Sequence, residues 1–162
     1  MPHDFYSSDY YADKLIEFLS TSPDDKPFFA YLPFTAPHWP LQAPRELIAK
    51  YKGKYDDGPA ALRERRLLAQ VKLGLLDDGV EPYPLTGGTD WESMTEDERK
   101  YSAKTMEIYS AMVENMDYNI GKVIDYLERK GQLDNTFIVF LSDNGAVPPF
   151  PKILTALRKG RY

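Results

Sequence analysis

The sequence predicts an α/β fold, an incomplete and mostly parallel sheet with flanking helices. Three observations predict it. Two short apolar runs, Phe28-Phe29-Ala30-Tyr31-Leu32 and Thr136-Phe137-Ile138-Val139-Phe140-Leu141, read as strands buried on both faces. Several other stretches carry apolar residues at the three- and four-residue spacing of amphipathic helices. The order along the chain is helix, strand, long helical excursion, strand, which is the grammar of parallel strands joined by crossovers. Two strands are too few for an independent sheet domain, so the sheet is expected to be partial.

Each element has its own signal. Ser7-Ser8-Asp9 offer N-cap oxygens, and Tyr11, Leu15, Phe18 and Leu19 follow at helical spacing, so a helix is expected over about residues 9–20, stopped by Thr21-Ser22-Pro23-Asp24. The first strand follows between Pro27 and Pro33. Prolines at 33, 37, 40 and 44 then exclude regular structure and predict an ordered loop. Pro44 suits the first turn of a short helix through about Tyr51, and Pro59 suits that of a second, charged helix through about Leu73. Gly79, Pro82, Pro84, Gly87 and Gly88 mark a connector up to Trp91. Thr95 and Glu98 have capping-box spacing ahead of a stripe of Met106, Tyr109, Met112, Val113, Met116, Ile120, Val123, Ile124 and Leu127. Gly131 is the natural C′ residue, and the length of the helix suggests a break near Tyr101. Ser142-Asp143-Asn144-Gly145 ends the second strand. Residues 152–162 form a basic stub with no strand after it.

Composition narrows the function. The chain has 162 residues, 43% of them hydrophobic, with 20 Lys+Arg against 25 Asp+Glu for a net charge of −5. Such a chain can bury a core, and it lacks the basic field that a nucleic-acid partner requires. There is no cysteine, which excludes disulfides, thiolate zinc sites and a cysteine nucleophile within the chain. No apolar run approaches the roughly 18 residues of a membrane span, and the first residues lack a signal-peptide pattern, so a soluble chain without an address is expected.

In parallel sheets, ligands bind beyond the carboxyl ends of the strands, and both expected strands end in a polar cluster: Pro37-His38-Trp39 and Asp143-Asn144-Gly145. Asp143 and Asn144 are hard oxygen donors suited to Ca²⁺ or Mg²⁺, beside a glycine that permits a sharp turn. Asp-Asn-Gly is equally a common turn sequence. His38, in a stiff proline-rich loop between Phe34 and Trp39, can donate a proton or hydrogen bond to an anionic substrate, or be structural. His3 earns no role. The methionines of the helix stripe read as core packing, and Arg63-Glu64-Arg65-Arg66, Asp56-Asp57 and Asp77-Asp78 as solvated surface.

Three ordered motifs carry a resemblance. The stretch Phe28 to Pro44, then Tyr109-Ser110-Ala111-Met112-Val113-Glu114-Asn115-Met116-Asp117-Tyr118-Asn119-Ile120-Gly121, then Leu133-Asp134-Asn135-Thr136 with Ser142-Asp143-Asn144-Gly145-Ala146, resembles the sulfatase family. The likeness is to the bacterial-type arylsulfatases of the alkaline-phosphatase-like superfamily and runs from about Phe5 to about Pro151, so residues 1–151 are expected to form a partial catalytic domain. It implies a partial alkaline-phosphatase-like sulfatase fold and hydrolysis of a small-molecule sulfate ester by a formylglycine hydrate, with Ca²⁺ holding the sulfate. Asp143 and Asn144 match the family's second pair of calcium ligands, and His38 matches its substrate-sulfate histidine near the leaving-group oxygen. The formylglycine motif, Cys/Ser-x-Pro-x-Arg, occurs nowhere in the chain. The resemblance places it, the first aspartate pair and an upstream Lys and His before Met1, and a further substrate lysine beyond a strand this chain lacks; neither Lys152 nor Lys159 replaces it. The expectation is a central sulfatase fragment, inactive alone. A phosphoesterase or phosphonate hydrolase of the same superfamily is the first rival, and a non-catalytic interaction module the second.

Overall fold

In a computed structural model of the chain, residues 5–23, 26–84 and 90–144 are described. They form four helices, α1 (Ser7–Thr21), α2 (Arg45–Lys50), α3 (Gly58–Lys72) and α4 (Glu96–Arg129), with 3-10 turns at Trp91–Ser93 and Leu133–Asn135. The chain divides into two compact units. One holds Met1–Lys54 with Lys104–Ile138, and the other Tyr55–Ala103 with Val139–Tyr162.

In the first unit α1 and α2 are tied to α4. α1 begins two residues earlier than its spacing suggests: Tyr6 is its N-cap, with extended backbone and no side-chain cap. Ser7, Ser8 and Asp9 therefore stand inside the first turn, where the Asp9 charge suits the helix dipole. At the other end Ser20, Thr21 and Ser22 turn their hydroxyls back to donate to the carbonyls of Glu17 and Phe18. α2 leaves Pro44 as expected and is joined to α4 by Lys50 and Glu114, 2.6 Å apart.

α4 is 34 residues long and unbroken, so the expected interruption at Tyr101 does not occur. Its ends explain its persistence. Thr95 Oγ1 accepts from the Glu98 amide at 3.3 Å while Glu98 Oε2 accepts from the Thr95 amide at 2.9 Å, a full capping box. At the C-terminus Gly131, at φ 65°, lets its own amide reach Glu128 O and that of Gln132 reach Leu127 O, both at 2.9 Å, as in a Schellman motif. The most buried α4 side chains of this unit are Glu107, Ala111, Met112, Asn115, Asn119, Tyr126 and Leu127. This face is offset from the apolar stripe read in the sequence, and it includes three polar residues. Each is bonded: Glu107 accepts from the Gly53 amide and the Lys104 ammonium, and Asn115 and Asn119 both donate to Asp9.

In the second unit α3 starts at Gly58, with Pro59 in its first turn as expected. Gly58 has φ +84°, and a Cβ built there would stand 2.6 Å from the Trp91 indole. Only glycine permits both the backbone angle and that approach. Arg99 stacks over the same indole and donates to the Trp91 carbonyl at 2.9 Å, so the excursion from α3 to residue 90 is pinned at its base. Asp57 and Arg65 pair across the start of α3.

The expected sheet is not formed among the described residues. Residues 28–32 and 136–141 are free of helix but join no ladder, and most of their side chains are exposed, Phe29 to 94% and Phe137 to 92%. A strand satisfies its amides and carbonyls only on a neighbouring strand, and the two apolar runs do not serve each other. The basic stub expected at 152–162 lies outside the described residues.

Candidate functional site

His38 sits in the turn between α1 and α2, where prolines fix the backbone and remove amide donors. Its own amide donates to Thr35 O at 3.0 Å, and the peptide bonds Ala36–Pro37 and Trp39–Pro40 on either side are cis. Ala36 is buried beneath the turn while the His38 side chain is exposed. The His38 Nδ1 lies 2.7 Å from the Trp39 carbonyl. A carbonyl only accepts, so the proton belongs on Nδ1, and the neutral ring keeps the Nε2 lone pair for an outside partner. When protonated, the same nitrogen becomes a donor.

Asp143 and Asn144 lie in a bend directly after the second apolar run and are exposed. The Asn144 amide donates to Asp143 Oδ1 at 3.0 Å, and Ser142 Oγ donates to the Asn144 carbonyl. The local turn thus uses one carboxylate oxygen and leaves the other and the Asn144 carboxamide oxygen as potential ligands. Gly145 lies outside the described residues. Among the described residues no three His, Cys, Asp or Glu side chains gather in a way that could hold a metal. His38 belongs to the first compact unit and Asp143 and Asn144 to the second. A shallow depression lined by Leu19, Ser22, Pro23, Lys26, Pro27, Phe28 and Gln132 includes none of the three.

The family model for sulfatases matches residues 1–151. The chain belongs to the sulfatase family. An uncharacterised sulfatase of Schizosaccharomyces pombe is 58% identical to it over 144 residues, 88% of this chain and 26% of that protein. An arylsulfatase of Klebsiella aerogenes is 43% identical over 148 residues, 91% of this chain and 32% of that protein. The multifunctional alkaline phosphatase superfamily protein PehA of Trinickia caryophylli is 29% identical over 149 residues, 90% of this chain and 28% of its own length. The chain thus spans about a quarter to a third of these relatives. Family membership brings an alkaline-phosphatase-like fold at the level of the class, of which the described residues display the helical part. None of the described helices is long and apolar enough to cross a membrane.

For a sulfatase-family chain, the donor set at the second apolar run is of the right chemistry for calcium, though small. One carboxylate and one carboxamide are hard oxygen ligands, and Ca²⁺ takes six to eight. The polar cluster of Asp9, Asn115 and Asn119 was not anticipated from the sequence. Its signal was there, because two asparagines four residues apart fall inside an otherwise apolar helix pattern, where unpaired amides are costly to bury.

Proposed function

We propose that this chain is a section of a sulfuric ester hydrolase of the arylsulfatase type, carrying part of its calcium site and one substrate-contacting histidine. The observation that supports this reading most is the 43% identity to an arylsulfatase across 91% of the chain. In this reading Asp143 and Asn144 would supply two of the oxygen ligands of a calcium ion, whose charge would offset that of the sulfate group. His38, with a proton held on Nδ1 by the Trp39 carbonyl, donates from Nε2–H to the ester oxygen only when its ring is charged, and so protonates the departing phenoxide. The formylglycine precursor motif is absent from the sequence, so the chain alone has no nucleophile of the kind the family uses. Residues 1–151 constitute the catalytic section and 152–162 a divergent stub.

The reading is tested by hydrolysis of 4-nitrophenyl sulfate. The isolated chain is expected to show no turnover above background, and a longer polypeptide that contains it is expected to turn over and to lose about 10²-fold or more in kcat when His38→Ala is introduced, the size typical of a positioned proton donor. Saturable, calcium-dependent hydrolysis by the isolated chain would contradict its role as a section. The similarity to a protein named as a multifunctional alkaline phosphatase superfamily member favours one second reading, a phosphoesterase or phosphonate hydrolase. Preference for 4-nitrophenyl phosphate over the sulfate would select it.

A further inference from the structure

The loop that carries His38 is tied to α4 through side chains that the proposed reaction does not use. Asn115 and Asn119 stand one turn apart on α4, and both carboxamides donate to Asp9 Oδ1, at 2.9 and 2.6 Å. Asn119 is fully buried and Asn115 nearly so, which makes these bonds strong positional constraints on α1, since a buried amide that loses its partner is expensive. Lys122 and Asp13 repeat the link one turn further along both helices. Tyr6 caps the same end of α1, and its carbonyl accepts the Tyr10 amide at 3.1 Å, so the side chain is carried by the helix that Asp9 anchors. The Tyr6 phenol donates to the Gln42 carbonyl at 2.9 Å. Gln42 lies four residues beyond His38, in a stretch where prolines at 37, 40 and 44 supply no amides of their own.

We propose that Tyr6 is a positioning residue for His38: anchored through Asp9, Asn115 and Asn119, its phenol holds the proline-rich loop in the form that keeps the His38 Nε2 nitrogen free for substrate. The importance of the link for catalysis rests on the sulfate-contacting role given to His38 above; the mechanical link itself does not. Burial raises the phenol above its ordinary pKa and the Asp9 charge adds to this, against a smaller opposite effect of the nearby Ser8 hydroxyl, so Tyr6 remains a donor at all pH values of interest. The Ser8 hydroxyl is itself buried without a hydrogen bond of good geometry and adds no second tie.

The test is Tyr6→Phe in the full chain, which removes one oxygen and keeps the ring. Amide exchange at His38 is expected to rise about 2- to 10-fold, the equivalent of one net hydrogen bond, and the His38 ring nitrogen shifts to move, while exchange at the centre of α4 stays unchanged. Tyr118→Phe, at an exposed position of α4, is expected to leave all three readouts as they are. Asp9→Asn is the second variant, and it is expected to loosen the loop together with α1. Unchanged His38 exchange and ring shifts in Tyr6→Phe would overturn the positioning role, as would a uniform acceleration that includes α4. If Tyr6→Phe does not fold, unchanged loop exchange in Asp9→Asn overturns it instead. In a longer polypeptide, full hydrolysis by His38→Ala would sink the role of the histidine while leaving the exchange result standing, so the two failures are distinct.

Discussion

Residues 96–129 and residues 137–141 lie close together in sequence and differ in where their backbone hydrogen bonds go. In α4 every interior amide is satisfied by the carbonyl four residues before it, and both ends are closed by the capping box and by Gly131. The helix therefore forms from its own sequence, and packing has only to cover one face. Residues 137–141 have amides and carbonyls that a helix could satisfy, but their β-branched and aromatic side chains favour extension. Extended backbone finds its partners on another strand, and among the described residues none is there. Local closure makes an element independent of the rest of a protein; non-local closure makes it hostage to segments that can be far away in sequence.

Hydrogen exchange gives this contrast its largest readout. Amides in the middle of α4 are expected to exchange at least about 10³-fold more slowly than those of Ile138, Val139 and Phe140, because the first need a cooperative opening and the second are already exposed to water. Comparable protection in both regions would show that the extended run is paired in solution, in a second copy of the chain or in a rearranged fold.

The sequence made the self-contained elements legible and left the dependent ones half read. Pro44, Pro59, the Thr95–Glu98 box and Gly131 marked helix ends because each acts through one or two turns of backbone. The two apolar runs were legible as extended segments, whereas their ladder was not, since pairing depends on residues that no local pattern names. For the candidate site, His38 and the Asp143–Asn144 pair stood out by residue type after each run. The buried face of α4 was misplaced by reading apolarity alone: Glu107, Asn115 and Asn119 are buried because Gly53, Lys104 and Asp9 supply partners from sequence positions up to 110 residues away.

That polar face provides an intermediate effect. Burial works to raise the Glu107 carboxyl, but the Lys104 ammonium and the Gly53 amide outweigh it and hold the group below its usual pKa of 4.5. A carboxyl depressed in the folded state stabilises that state fully above the unfolded value and progressively less as pH falls through the folded value, so its contribution is expected to disappear below pH 4.5. Glu107→Gln keeps an acceptor for Gly53 and loses the charge. Urea unfolding is expected to show it about 1 kcal/mol less stable than the parent at pH 7 and nearly equal to it at pH values below the folded pKa. A gap that stays constant with pH would mean that Glu107 acts through shape rather than charge.

The smallest effect is the most discriminating. Phe137 is 92% exposed, so Phe137→Ser removes apolar surface that water already covers and is expected to change the stability of this chain by less than about 0.5 kcal/mol. Phenylalanine at the centre of a buried strand behaves otherwise, with losses of about 3–5 kcal/mol on truncation. The same substitution in a longer polypeptide that closes the sheet is therefore expected to cost several kcal/mol and to reduce the yield of folded protein. A large loss in the isolated chain would place Phe137 in a core already formed, and the extended run would then depend on nothing outside these residues. A negligible loss in both settings would place the ring on a surface that stays open in the longer polypeptide as well. Only the pair of results, small here and large there, fits a strand whose stability is supplied by partners elsewhere in the polypeptide.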